Sequence, residues 1–366
     1  MVADALRRSS VAVLPVVVAC ALACAGDTAV TPLPIRIAGD RISPIAITAA
    51  SEDLSEHLYV ANRGASSITA YDRSAAGDVH PLLTLGGSNT MLADPWAMAF
   101  DVKGTLYVQN YVSESRTDVY PSEASGNHTP TRVFGNNDGG RDAPSIAVDS
   151  KGNVYVARYE KPRIDVFPPG TTGSVAPSRI IMPDGFPQSV SIGPGDALIV
   201  AVAGSSAAGG NNAIEVFAHN ASGSATPIRT IAGSKTGLGT GFAFGGDQIV
   251  ATYSRFTGRI YVAVAACDMS AVTPHVSVFA ATDMGNVAPI RTIAGSATGM
   301  HNPIVLSGIA GDQHDGSIYV MRSSCSIDRG RVLVFARFAT GNAKPLRSFT
   351  DAATHFSDVV GIAVGP

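Results

Sequence analysis

The chain has 366 residues, of which 45% are hydrophobic and 15% charged, with 38 glycines, 22 prolines and a formal net charge of −3. Nearly half of it can build a core, which excludes a disordered chain, and the glycines keep no three-residue period, which excludes collagen. With 26 Lys and Arg against 29 Asp and Glu there is no basic excess to meet phosphates, so no nucleic-acid partner is expected. Few charges and many Gly and Pro suit a β-rich chain with tight turns.

Residues 1–23 read as an export signal. Arg7 and Arg8 precede an apolar run from Val11 to Ala23, which is too short to span a bilayer. Ala21-Leu22-Ala23-Cys24 resembles the lipobox of bacterial lipoproteins, which implies that Cys24 is acylated and becomes the first residue of the mature chain. Val17-Val18-Ala19-Cys20 fits nearly as well, and an ordinary cleaved signal is the alternative. Acylation would hold the protein at a membrane by its lipid anchor only, without a spanning helix. The expected address is the bacterial cell envelope or the medium outside it. Residues 24–32 read as a tether and 33–366 as one folded domain.

The remainder is a repeat. One phrase recurs as Ile68-Thr69-Ala70-Tyr71, Thr117-Asp118-Val119-Tyr120, Ile164-Asp165-Val166-Phe167, Ile214-Glu215-Val216-Phe217, Val276-Ser277-Val278-Phe279 and Val332-Leu333-Val334-Phe335. Each is followed by a glycine and, four residues on, a proline, from Gly77/Pro81 to Gly341/Pro345. Each is preceded by a branched or aromatic strand such as Leu58-Tyr59-Val60 or Ile318-Tyr319-Val320, and most units open with a further short strand such as Ala97-Met98-Ala99-Phe100. Alternating β-branched and aromatic residues bounded by Gly, Pro and Asp are strand-turn-strand chemistry, and no helix is predicted. Four strands per unit, repeated six times, predict an all-β six-bladed β-propeller of four-stranded blades. A thin four-stranded meander cannot bury both faces alone, whereas neighbours closed around an axis bury every face.

Asp101-Val102-Lys103-Gly104 and Asp149-Ser150-Lys151-Gly152 read as turns between first and second strands, with the Asp residues structural. A constant offset of 14 residues joins Asp118 to Arg132, Asp165 to Arg179 and Glu215 to Arg229, and predicts three exposed ion pairs on the outer blade edges. Pro34-Ile35-Arg36-Ile37 echoes a fourth strand and Gly361-Ile362-Ala363-Val364 a first strand. The expectation is six complete units plus a spare strand at each end, with the ends stapled near the first and last repeat. Seven blades, one of them incomplete, is the alternative.

The Tyr-Val second strand, Val-Phe third strand and Gly-x-x-x-Pro-x-Arg fourth strand resemble the NHL-type propeller repeats of secreted bacterial proteins. The resemblance implies a fold and leaves activity open, because such propellers include binders, scaffolds, lactonases and lyases.

Three residues beyond the second-strand Tyr, at one predicted mouth of the channel, stand Asn62, Asn110, Arg158, Val202, Val264 and Arg322. Asn62, Asn110, Arg158 and Arg322 are the candidate ligand-binding residues. Their amide and guanidinium groups suit a neutral or anionic ligand better than a metal. No catalytic residue, metal ligand or cofactor is assigned. The eight histidines do not recur at one repeat position, and no nucleophile elbow or P-loop is present. Cys267 and Cys325 occupy matching places in consecutive units, which in an exported chain suggests a disulfide between loops, with two free thiols as the alternative. The leading expectation is a monomeric binding or scaffold module for a protein or glycan. The alternative is a metal-dependent lactonase-like hydrolase or a lyase, with one divalent cation on the axis.

Overall fold

The computed structural model describes residues 56–112, 115–136, 138, 144–240, 248–265, 273–301, 304–324, 330–350, 356 and 358–365. They form six four-stranded antiparallel blades arranged as a six-bladed β-propeller. The export signal, Cys24, the tether, the echo at 34–37, Cys267 and Cys325 lie outside the described residues.

The inner strands, in blade order, are Val359–Gly365, Pro95–Phe100, Ser145–Val148, Phe186–Ile192, Gln248–Ser254 and Ile304–Gly311. The first of these comes from the end of the chain. It pairs antiparallel with His57–Asn62, so that His57 faces Gly365 and Asn62 faces Val359. The strand read as spare at 361–364 is therefore the inner strand of blade one, whose other three strands come from residues 57–86. A first unit lacking this strand would leave its neighbours' inner edges open, and pairing the two ends closes the ring.

Every blade is buried on both faces, because strand side chains alternate. Tyr155 joins the apolar cluster between blades three and four, while Val154 and Val156, beside it in the same strand, join the cluster between blades two and three. Among the described residues there are six such clusters, one at each blade interface. Each fully buried Val, Leu, Ile or Phe in them contributes about 1.5–3 kcal/mol.

The turn reading holds in detail. Asp101 accepts the N–H groups of Lys103 and Thr105 at 2.9 Å, and Asp149 those of Lys151 and Asn153 at 3.0 and 2.8 Å. Each turn closes on a glycine with positive φ, Gly104 at 77° and Gly152 at 83°.

The predicted edge ion pairs do not form. Arg132 stands opposite Val119, Arg179 opposite Val166 and Arg229 opposite Val216, one residue away from the expected acids. A one-residue slip sends acid and arginine to opposite faces of the sheet. The constant offset reports a constant hairpin length and not which residues oppose each other. Arg132 reaches Tyr107 Oη at 3.2 Å and the Thr171 carbonyl of the next blade at 3.2 Å. Arg179 repeats this with Tyr155 Oη at 3.3 Å and the Ala221 carbonyl at 2.6 Å. These arginines clamp neighbouring blades together, while Asp118, Asp165 and Glu215 are buried.

Candidate functional site

The ring has two ends. At one, which we call the turn face, the first-to-second and third-to-fourth strand connections emerge. At the other, the crossover face, second strands run into third strands and each blade passes to the next.

The axis itself is a cavity of about 250 Å³ walled by the inner strands. Six strands converging there leave room only for small side chains. A Cβ on Gly361 would lie 2.6 Å from the Trp96 carbonyl. Serines lace the wall together. Ser145 Oγ accepts the Val190 N–H at 3.1 Å, Ser189 Oγ that of Ala251 at 2.8 Å and Ser191 Oγ that of Tyr253 at 3.1 Å. The lining carries no acid, histidine or cation among the described residues.

Toward the crossover face four inner strands carry a β-bulge at one equivalent place. The register slips past Trp96, Gln188, Ser307 and Val360 in blades two, four, six and one. A bulge turns an extra side chain away from the ladder, and Trp96, Ser307 and Val360 line the axial cavity. Trp96 is the only tryptophan of the sequence. Its ring packs on Tyr111 with centroids 4.8 Å apart and planes at 31°. The Arg63 guanidinium lies 5.0 Å from the Trp96 ring and 5.7 Å from the Tyr111 ring, and pairs with Asp358 at 3.4 Å. A second aromatic pair, Tyr159 and Phe186, sits at the same end of blades three and four with centroids 5.4 Å apart.

The sequence candidates stand one strand farther out, where the inner strands screen them from the axis. None of the four lines the axial cavity. Asn62 is buried and donates to Thr69 Oγ1 at 2.9 Å, and Asn110 donates to Asp118 Oδ2 at 2.8 Å. Arg158 is fully buried and ion-paired with both Asp165 and Asp138 at 3.2 Å. Arg322 is half-buried and faces Arg331 across the sheet. The structure spreads these residues over four blades and does not bring them together.

The residues immediately after the first three, Arg63, Tyr111 and Tyr159, carry the aromatic and cationic character of this face. The sequence signal was one repeat column away: in the ladder the side chain at the Asn62 position turns into the blade interface, and the chain leaves the sheet at the next residue.

Carboxylates near this face are perturbed. Burial pushes the Asp118 carboxyl up to about 6, against the pull of Arg116 and Asn110. Burial pushes Glu215 up to about 7, although it accepts the Asp184 N–H at 3.2 Å, and the charge of Asp184 adds to the rise. Asp138 is held below the usual range in spite of its burial, by hydrogen bonds and charge from Arg163 and Arg158. Among the described residues no three His, Cys, Asp or Glu side chains gather where one ion could be held. The arrangement offers flat aromatic surface and hydrogen-bonding edges beside a small cavity, which are the elements of a binding mouth.

No protein-family model and no curated protein matches the sequence. Among solved structures the chain is similar to the periplasmic gluconolactonase of Pseudomonas aeruginosa, at 17% identity over 85% of this chain and 99% of that one, with a TM-score of 0.52. It is also similar to a Lactobacillus plantarum protein, at 13% identity, 85% and 99% coverage and a TM-score of 0.49. A Bacteroides caccae protein of unknown function matches at 12% identity, 85% and 98% coverage and a TM-score of 0.48. At such identities the likeness concerns the propeller fold and carries no activity with it.

Proposed function

We propose that this chain is an envelope or secreted propeller of the NHL type that binds a glycan or a partner protein through its crossover face. Residues 1–23 would direct export, Cys24 would carry the lipid anchor, and residues 24–32 would tether the ring. Cys267 and Cys325 would form a disulfide between loops of the last two blades. The observation that carries the binding reading is the Trp96–Tyr111 pair at the bulge beside the axial cavity, with Arg63 against both rings. Half-buried aromatic rings next to a guanidinium suit the apolar faces and hydroxyls of a sugar, or a peptide side chain.

Trp96 reports on its own site, because no other tryptophan contributes to the emission. Titration of the full chain with envelope oligosaccharides and peptides is expected to shift or quench this emission saturably, and Tyr111→Ala is expected to weaken the response. A flat emission across both ligand sets would overturn the reading.

The lactonase-like alternative draws on the fold shared with the gluconolactonase. It requires a divalent cation and carboxylate ligands, and elemental analysis of the purified chain together with lactone hydrolysis tests it directly.

A further inference from the structure

The turn face of blades five and six carries a feature that the repeat does not require. Phe338 is 71% exposed and Phe256 is 44% exposed. The Arg337 guanidinium lies between them, 4.7 Å from the Phe338 ring and 5.8 Å from the Phe256 ring. Arg291 lies 5.7 Å from the Phe338 ring and donates to the Arg337 carbonyl at 2.8 Å. The strip is seated on Gly316, where a Cβ would meet Phe256 Cδ1 at 2.8 Å and Arg337 Cβ at 3.2 Å.

At the place of Phe338 the other blades have Ser74, Glu123, Gly170, Asn220 and Thr282. The fold therefore accepts a small or polar residue there. Nearby loops of the same two blades also expose Met284, Ile290 and Leu346. At the position of Ile290, blades two and three carry Thr131 and Ser178, whose hydroxyls bond to Val119 and Val166 carbonyls at 3.0 and 2.9 Å. Blades one and four expose Leu82 and Ile228 at that same position, so what is particular to this sector is the pair of exposed phenylalanines with arginines against them.

That sector is also positive. Arg291 and Arg337 lie against the two phenylalanine rings, and Arg255 and Lys344 belong to the same loops, with Arg255 close enough to Asp196 to lower its carboxyl. The acids in the same loops are Asp283, which accepts the Ala280 N–H at 2.8 Å, Asp315, and Asp312, which is buried in an ion pair with Arg73. His314 also faces this end and pairs with Glu56 at 3.2 Å. With Asp312 taken up by Arg73, these loops carry four cations against the two remaining acids Asp283 and Asp315, in a chain of net charge −3.

We propose that the Phe256–Arg337–Phe338–Arg291 strip docks on an anionic phospholipid surface. Aromatic rings would settle at headgroup depth, with the flanking guanidinium groups on lipid phosphates. The charge complementarity selects the anionic bilayer as the occupant. Docking by this edge brings the turn face of blades five and six to the membrane and leaves the crossover mouth open to the surroundings. The inference does not depend on what the mouth binds.

The test uses the full chain with vesicles of phosphatidylcholine alone and of phosphatidylcholine with 30% phosphatidylglycerol. Binding to the anionic vesicles is expected to be about tenfold tighter, and Phe338→Ser with Arg337→Ser should remove most of that difference. Any lipid anchor acts equally on both proteins and cancels in this comparison. Amide exchange over residues 255–258 and 336–346 should slow on anionic vesicles only. Phe338→Ser alone, at an exposed site, should keep the parent melting temperature and serves as the folded control. Equal partitioning of parent and variant, or unchanged exchange in both loops, would overturn the proposal. So would a dimer in vesicle-free sedimentation that Phe338→Ser dissociates, since the strip would then be covered by a second copy.

Discussion

The backbone N–H of Gly77 donates to the Ser348 carbonyl at 2.9 Å, tying a loop of the first blade to the outer strand of the last. The same bond recurs from Gly126 to Thr84, Gly223 to Ile180, Gly285 to Thr230 and Gly341 to Thr292, at 2.6–2.7 Å. Gly173 pairs likewise with Phe134. The glycine of each Gly-x-x-x-Pro phrase thus covers the free edge of the preceding blade, where an unpaired strand would invite aggregation.

These glycines are needed for backbone conformation and not for space. Their φ values run from 57° to 77°, and a Cβ at any of them meets nothing within 4 Å. Gly77→Ala, Gly223→Ala and Gly341→Ala are each expected to cost about 1–2 kcal/mol, the penalty of a left-handed residue with a Cβ. Gly361→Ala is different, because its Cβ would strike the Trp96 carbonyl. Denaturant melts should show a larger loss there, together with a change in Trp96 emission that the rim substitutions do not cause.

Ring closure has a polar component between the last blade and the first. Arg73 grips Asp312 with two bonds of 2.7 and 2.8 Å, and Tyr319 Oη adds a third to Asp312 at 3.0 Å. Asp312 stays below the usual carboxylate range although burial works against it, because of Arg73 and the N–H groups of Asp315 and His314. A carboxyl with a depressed folded value stabilises above its unfolded value, and that stabilisation is lost as pH falls through the folded one. Asp312→Asn is expected to cost about 3 kcal/mol at neutral pH, since it leaves a guanidinium without its charge partner. The variant should also lose less stability than the parent on acidification below about pH 4.

How much of this could be read beforehand depended on whether a residue acts within its own strand or across the ring. Tyr59, Tyr107, Tyr155, Tyr261 and Tyr319 recur at one buried place in five blades, with Ile199 there in the fourth, so the repeat announces the fold. Asp101 and Asp149 are equally legible, because a turn is local chemistry. Arg132 was visible as a column but its partners were not, since the Thr171 carbonyl belongs to another blade and a backbone acceptor leaves no mark in sequence. Trp96 stayed hidden for a similar reason. The slip in register between Pro95 and Ala97 takes Trp96 out of the ladder beside the axial cavity, and a bulge has no side-chain signature of its own.

Arg158 stands among acids as a blade pillar. It shares Asp165 and Asp138 with Arg163, whose Nε lies 2.8 Å from Asp165 Oδ1. Arg158→Met should destabilise the chain by about 2 kcal/mol, less than a full orphaning because Arg163 remains. Adding Asp165→Asn to Arg158→Met is expected to recover part of the loss, since the double variant buries no unmatched charge. A double-mutant cycle followed by thermal melting measures the coupling. Additive losses would show that the two side chains do not act as a pair.

Glu215 provides the opposite pH signature to Asp312. Burial lifts it from an ordinary 4.5 to about 7, so the folded state holds a proton that the unfolded state has released. Between those two values the native chain binds more protons than the unfolded one, and stability falls as pH rises. The effect is complete below about pH 4.5 and spent above about pH 7, with a span on the order of 3 kcal/mol. Glu215→Gln keeps the shape and accepts the Asp184 N–H without ionising. The variant is expected to match the parent near pH 5 and to exceed it at pH 8, where the buried charge next to Asp184 is removed. Urea midpoints for both proteins across pH 5–8 measure the difference directly. Parallel curves would mean that the Glu215 carboxylate ionises in the folded chain as readily as in water.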